Sequence, residues 1–303
     1  MASLLLIAFF YLGPLTAQDS LNFTKNEIIY GRKDGMALTM IMLTPKTNPK
    51  GKAIISVVSG NWISSFTNAE RFINRAKIYI NSGYTVFAVI HGSQPRYSIP
   101  DEVADIKRAV RFIRHNASSY GIDAGNIGIT GSSSGGHLSL MVALSDDKID
   151  STSRDPINRV SARIQAAAVF YPPTDFLNWG QANLDLSKLQ RPLASSGVAS
   201  AFDFKEWNDT LKIYQQVNTQ QRLETARNFS PVYAVTPDDP PVIIIHGDAD
   251  RTVPIQQSEI IIKKMKDSKV TNQFIIKKDA GHGWLTQHEE EKNFVIWFDK
   301  YLK

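Results

Sequence analysis

Three serines stand in a row at positions 132 to 134, and the neighbours single out one of them. Only Ser133 has glycine two positions before it and two positions after it, in Gly131-Ser132-Ser133-Ser134-Gly135. A serine hydroxyl is a weak nucleophile unless it is held exposed and served by a base. The surroundings suit such a presentation: the strand-like run Ile127-Gly128-Ile129-Thr130 leads into a sharp turn, and Gly136-His137-Leu138-Ser139-Leu140-Met141 leads out of it as a helix. The first N–H groups of that helix point at the turn, so the amide of Ser134 is expected to stabilise an oxyanion forming beside Ser133.

The base and its supporting acid follow in later loops. His282 lies in Ala280-Gly281-His282-Gly283-Trp284, after the apolar strand Phe274 to Ile276. Two carboxylates, Asp248 and Asp250, follow the strand Val242 to Ile245; Asp279 is a weaker candidate because it leaves its strand too early. In a parallel sheet all these loops open on one carboxyl edge, together with Ser133. A second oxyanion donor is expected from Val57-Val58-Ser59-Gly60-Asn61-Trp62, through the N–H of Gly60 or Asn61. His137 lies on the helix after the nucleophile, His246 ends a strand, and His91, His115 and His288 have no acid-bearing loop in the proper order, so all five are read as structural. No spacing of histidine and acid suits zinc, and the chemistry calls for no metal or organic cofactor.

What must hold these loops in place is a regular alternation of elements. Glu27 to Gly31 and Ala37 to Leu43 read as a hairpin closed at Lys33-Asp34-Gly35. Short apolar runs at Ala53 to Val58, Thr85 to Ile90, Ile127 to Thr130, Ala166 to Phe170, Val242 to Ile245 and Phe274 to Ile276 read as buried parallel strands. Between and after them, Ala69 to Asn81, Pro100 to Asn116, Ser134 to Leu144, Pro254 to Asp267 and Gln287 to Leu302 carry helical spacing. The pattern predicts an α/β fold with a mostly parallel central sheet and helices on both faces. The stretch of about 172–240 is too long for a simple crossover and is expected to form a helical cap insertion. Its aromatics, Phe176, Trp179, Phe202, Phe204, Trp207 and Tyr214, are expected either to pack the cap onto the sheet or to line a pocket.

Composition narrows the function classes. With 43% hydrophobic and 21% charged residues in 303, the chain is globular, with one domain expected over 18–303. The net charge of +5 is scattered among acids and forms no basic stripe, so no nucleic-acid partner is expected. Cysteine is absent, which removes disulfides and a thiol nucleophile. Leu4 to Leu12 is an apolar run followed by Gly13-Pro14 and Leu15-Thr16-Ala17, read as a signal peptide over 1–17. That reading predicts a secreted or periplasmic protein with no stable membrane insertion after cleavage.

These residues resemble the α/β-hydrolase superfamily, and within it the esterase and lipase group that includes hormone-sensitive-lipase-like and prolyl-oligopeptidase-like esterases. The likeness runs from about Ala53 to the C-terminus and is densest between Asp105 and Gly136. It implies a Ser-Asp-His order of catalytic groups, and the Asp-x-x-Val-Pro stretch at Asp250 favours that carboxylate over Asp248. It also implies hydrolysis of a small-molecule or carbohydrate ester through an acyl-enzyme on Ser133. One departure stands out: where the group's oxyanion loop reads His-Gly-Gly-x-Trp, this chain has Val58 and Ser59 in the first two places. A serine exopeptidase or amidase of prolyl-oligopeptidase type, and a non-catalytic binding protein on the same fold, are the alternatives.

Overall fold

The computed structural model describes residues 22–188 and 190–303; the stretch 1–17, read as a signal peptide, lies outside them. The chain opens with a hairpin of β1 (Phe23–Lys33) and β2 (Met36–Pro45). Its turn places Asp34 at φ 48° and Gly35 at φ 80°, the left-handed pair whose twist matches the flanking strands. Six further strands complete the main sheet: β3 (Ala53–Val58), β4 (Thr85–Ile90), β5 (Ile127–Ser132), β6 (Ala166–Phe170), β9 (Val242–Gly247) and β10 (Asn272–Lys277). The spatial order is β1-β2-β4-β3-β5-β6-β9-β10, antiparallel across β1, β2 and β4 and parallel from β4 onward. The inner parallel strands, buried on both faces, are near-continuous in Ile, Val and Ala, whereas β10 at the edge is half-exposed.

Helices α1 (Phe66–Asn81) and α7 (Gln287–Tyr301) cover one face; their Tyr79, Ile80, Phe294 and Phe298 pack on Ile54, Val86 and Ile243. Helices α2 (Ile99–His115), α3 (Ser134–Leu144) and α6 (Gln256–Asp267) cover the other, with Ile106, Leu138 and Ile261 in its core. The start of α2 is written locally. The Ser98 N–H is accepted by the Asp101 carboxylate at 3.1 Å in a capping box, Pro100 stands in the first turn, and Arg114 and His115 complement the far end of the helix. Every residue of α3 is buried, so the helix that begins at the serine turn is itself part of the core.

The segment 171–241 joins β6 to β9 and holds two helices, α4 (Gln190–Ser195) and α5 (Thr219–Asn228). A small antiparallel hairpin of β7 (Lys205–Asn208) and β8 (Ile213–Gln216) lies between them, so the insertion is mixed in structure. Phe176 and Phe202 pack edge-on against Trp62, with ring centroids 6.1 and 5.4 Å away, and Phe204 is buried with them. Trp179 joins the same cluster in part. Trp207 and Tyr214 face outward and meet edge to face, with ring centroids 5.1 Å apart. All six therefore serve packing or the cap surface, and none borders the cleft above Ser133.

Candidate active site

Ser133 sits between β5 and α3 at φ 54° and ψ −123°, a conformation L-residues avoid and hold only where the surroundings impose it. Two backbone bonds impose it here: Ser133 N–H donates to Phe170 O at 3.0 Å, and the Ser133 carbonyl accepts from His137 N–H at 2.9 Å. The flanking glycines are required by contact. A Cβ on Gly131 would lie 2.4 Å from the Gly135 carbonyl, and one on Gly135 would lie 2.8 Å from Val57 O. Strand, turn and helix thus close on one another with no room for a side chain, and Ser133 is pushed out at the carboxyl edge of the sheet.

His282 and Asp250 meet it there. The Ser133 hydroxyl is 2.9 Å from His282 Nε2, and His282 Nδ1 is 2.8 Å from Asp250 Oδ2. With Nδ1–H donating to the carboxylate, Nε2 is left free to accept the serine proton. Asp250 is buried, yet His282 keeps partial exposure, as a group that must meet a substrate would. Burial pushes the Asp250 carboxyl up, but hydrogen bonds from His246, His282 and the Val253 N–H outweigh it and hold the group well below the ordinary carboxylate range. Its Oδ1 accepts the N–H groups of Thr252 and Val253 at 2.8 and 3.0 Å, closing the turn that aims Oδ2 at His282.

The competing carboxylates have other tasks. Asp248 Oδ1 accepts the Asp279 N–H at 2.6 Å, tying the loop after β9 to the loop after β10. At the same junction Ala249 N–H donates to Ala280 O at 2.9 Å, and a Cβ on Gly247 would lie 2.2 Å from that oxygen. The two loops that carry Asp250 and His282 are therefore laced together by backbone.

Among the other histidines, His246 does more than fill space. Its Nε2 lies 2.9 Å from Val253 O and 3.3 Å from Asp250 Oδ2, and its Nδ1 lies 2.7 Å from the Ser258 hydroxyl. As the Nε2–H tautomer it supports Asp250 from behind. His137 accepts from Trp62 Nε1–H at Nδ1 and donates from Nε2 to Phe229 O, bonds of 3.2 and 2.8 Å. Burial draws its pKa down to about 4, as it does for His91, so both imidazoles are neutral supports at neutral pH. His115 and His288 are exposed.

Of the two amides that the sequence offers in the oxyanion loop, Gly60 or Asn61, one is already engaged. Gly60 N–H donates to Ile63 O at 3.0 Å and Gly60 O accepts from Ile63 N–H at 2.9 Å, a closed bridge that uses up the Gly60 donor. Asn61 and Trp62 then turn through φ 54° and 55°. Among the described residues the Asn61 N–H has no partner, and neither has the N–H of Ser134 at the first position of α3. Asn61 and Ser134 are thus the available pair, and Gly60 is not. In place of the motif's histidine and first glycine, the loop is braced by side chains: Ser59 Oγ to Ser134 Oγ at 3.1 Å, Trp62 to His137, and Gln94 Nε2 to the Asn61 carbonyl.

Sequence reasoning missed Tyr171, which follows β6 at φ 34° and lays its ring 4.5 Å from that of His282. Its hydroxyl donates to Gln287 Oε1 at 2.8 Å, fixing the ring as a wall for the imidazole. It missed also two arginines of α1: Arg71 and Arg75, with Asn68 and Phe72, line the open cleft of about 660 Å³ above Ser133 and His282. Among the described residues no cluster of His, Asp and Glu is arranged to hold a metal ion, and no helix is long and apolar enough to cross a membrane.

Comparison with known proteins agrees with this architecture. The probable carboxylic ester hydrolase LipM of Mycobacterium tuberculosis is 30% identical over 184 residues, which is 61% of this chain and 38% of LipM. The acetylxylan esterase of Xylanibacter ruminicola is 23% identical over 296 residues, 96% of this chain and 52% of that enzyme. The chain thus spans between about two fifths and just over half of these relatives' length. Among solved structures, a truncated form of a carbohydrate esterase from gut microbiota superposes with a TM-score of 0.70 at 23% identity, over 92% of this chain and 98% of that one. The α/β-hydrolase fold expected from the sequence is the fold observed. The BD-FAE family matches residues 40–265, three quarters of the chain, and the chain belongs to that family.

Proposed function

We propose that this chain is a serine esterase that cleaves carboxylic esters through an acyl-enzyme, acting on small-molecule or carbohydrate esters. The observation that carries this reading is the hydrogen-bonded chain from Ser133 through His282 to Asp250 at 2.9 and 2.8 Å, on a half-buried serine that lines the cleft from a strained turn. A binding protein would gain nothing from that strain, which costs on the order of 1–3 kcal/mol.

In this reading the Ser133 oxygen attacks the ester carbonyl while His282 Nε2 takes its proton. Negative charge builds on the carbonyl oxygen and is met by the N–H groups of Asn61 and Ser134. His282 returns the proton to the departing alcohol oxygen as the C–O bond breaks, leaving the acyl group on Ser133. Water then attacks the acyl carbon with His282 again as base, and the carboxylic acid leaves as the proton returns to Ser133. Asp250 stays ionised throughout and holds the imidazole tautomer. Relatives described as a carboxylic ester hydrolase and an acetylxylan esterase support the ester over the amide. Export rests on the leader-like run before Gln18 and is part of the proposal.

Hydrolysis of para-nitrophenyl acetate, butyrate and octanoate, beside Ser133→Ala, tests it. Turnover that falls on the order of a million-fold in the variant is the expected result. Equal rates in both proteins, or cleavage of aminoacyl amides without cleavage of esters, would overturn it.

A further inference from the structure

Helix α1 presents two unlike faces. Ala69, Ala76, Tyr79 and Ile80 are buried against the sheet, whereas Asn68, Arg71, Phe72 and Arg75, spaced i, i+3, i+4, i+7, form the stripe that lines the cleft with Ser133 and His282. Two guanidinium groups on successive turns repel each other, since like charges at i, i+4 destabilise a helix. No acid in the cleft pairs with them: its lining residues include no carboxylate, and among the described residues neither arginine has an ion-pair or hydrogen-bond partner, although Arg75 lies over the Phe72 ring with its guanidinium 5.6 Å from the centroid. The neighbouring Glu70 is engaged by Lys25 of β1. On its inner side Arg75 also lines, with Phe72 and Ser132, the small cavity that holds the buried Glu291, whose carboxyl its charge pulls down against burial, but the two groups form no ion pair or hydrogen bond. The mouth of the site therefore carries two cations without an ion-pair partner, which converge with the nucleophile on one cleft.

We propose that Arg71 and Arg75 form an anion-recognition subsite, so that the preferred ester carries a carboxylate beside the bond that is cut. Arginine suits this better than a diffuse positive field would, because its planar fork matches a carboxylate in two parallel hydrogen bonds. The carboxylate can enter on either side of the ester: on the alcohol, as in an O-acylated acidic sugar, or on the acyl group, as in a half-ester of a dicarboxylic acid. The inference rests on the serine-esterase reading and adds to it the charge of the substrate.

Two pairs of esters test it on the full chain, each matched in size and differing in charge. Para-acetoxybenzoate against para-acetoxybenzamide places the charge on the alcohol side; para-nitrophenyl hydrogen adipate against para-nitrophenyl hexanoate places it on the acyl side. The expected result is an anion preference in kcat/KM of about ten-fold in at least one pair. Salt of about 0.5 M should reduce it. In the Arg71→Gln, Arg75→Gln double variant the ratio should collapse to about one, through KM. Arg71→Glu should invert it, an outcome that a damaged fold does not produce. Neutral esters cleaved with no anion preference in either pair, or a ratio unchanged by the double variant, would overturn the subsite alone. Failure to cleave any of the four would overturn the esterase reading and the subsite with it.

Discussion

Gln94 anchors Asn61. From the loop after β4 its Nε2 donates to the Asn61 carbonyl at 2.6 Å and to the Gly197 carbonyl at 2.8 Å, joining the oxyanion loop to the segment that follows α4. With the Gly60–Ile63 bridge on its other side, residue 61 is held between two fixed points, and its free N–H has a defined direction. An oxyanion donor is useful in proportion to how little it must reorganise during the reaction.

Replacing Gln94 by Leu keeps the bulk and removes both hydrogen bonds. The expected effect is a loss of about 10- to 100-fold in kcat with KM for a para-nitrophenyl ester changed by no more than a few-fold. Steady-state kinetics separates the two constants; a change confined to KM would show that the loop binds substrate without steadying the oxyanion.

The two aspartates of the loop after β9 should respond very differently to the same change. Asp250→Asn replaces the acceptor that fixes His282 and, by analogy with other triads, lowers kcat on the order of 10⁴-fold. Asp248→Asn weakens a bond to the Asp279 N–H that touches neither His282 nor Asp250, and the amide oxygen can still accept it, so kcat stays within a few-fold while stability falls by about 1 kcal/mol. Because the folded Asp250 carboxyl is held below its unfolded value near 3.8, it contributes stability above that pH and loses it on acidification. Asp250→Asn should therefore lower the melting temperature more at neutral than at strongly acid pH. Equal kinetic losses in the two variants would contradict the assignment of Asp250.

Glu291 of α7 should make stability fall as pH rises. Burial pushes its carboxyl up to about 7, with Arg75 pulling the other way, against an ordinary value of 4.5. Between those values the folded chain keeps a proton that the unfolded chain has released, so the stability this group allows is full below the lower value and is lost as pH rises through the upper one. Glu291→Gln removes the dependence. Urea unfolding at about pH 8.5 should show the variant more stable than the parent by on the order of 2–3 kcal/mol, and at about pH 4 the two should agree. Equal stability at both values would contradict it.

A backbone substitution probes the lacing of the two loops. Gly247→Ala sets a Cβ against the Ala280 carbonyl, 2.2 Å away where the backbone cannot yield cheaply, two residues before His282. Esterase activity should fall at least ten-fold through kcat and the melting temperature should drop by several degrees. Unchanged kinetics would show that the His282 loop is held by side chains instead.

Much of this site is legible from residue order alone. The serine turn is readable because strand, glycine spacing and helix are adjacent in the chain, and the strands are readable because parallel strands buried on both faces are apolar throughout. Asp250 needed the resemblance to separate it from Asp248, since both leave the same strand two residues apart. The rest depends on convergence between distant elements. Whether Gly60 or Asn61 keeps a free N–H is decided by a bridge to Ile63 that no periodicity reports. Tyr171 meets His282 from 111 positions away, and Gln94 meets Asn61 only because β3 and β4 are neighbours. Its place at a strand end marks His246 only as structural; its contact with Asp250 comes from the turn back through Val253. Arg71 and Arg75 had a visible signal, a polar stripe at helical spacing, but the sheet edge it faces is set by the order of strands in space.

Covalent trapping tests the central claim most directly. A fluorophosphonate ester treated with the full chain, followed by intact-mass measurement and peptide mapping, reports which oxygen is the nucleophile among three consecutive serines. The account predicts one adduct per chain, on Ser133, lost in Ser133→Ala and greatly slowed in His282→Ala. An adduct on Ser132 or Ser134, or labelling that persists in Ser133→Ala, would contradict it.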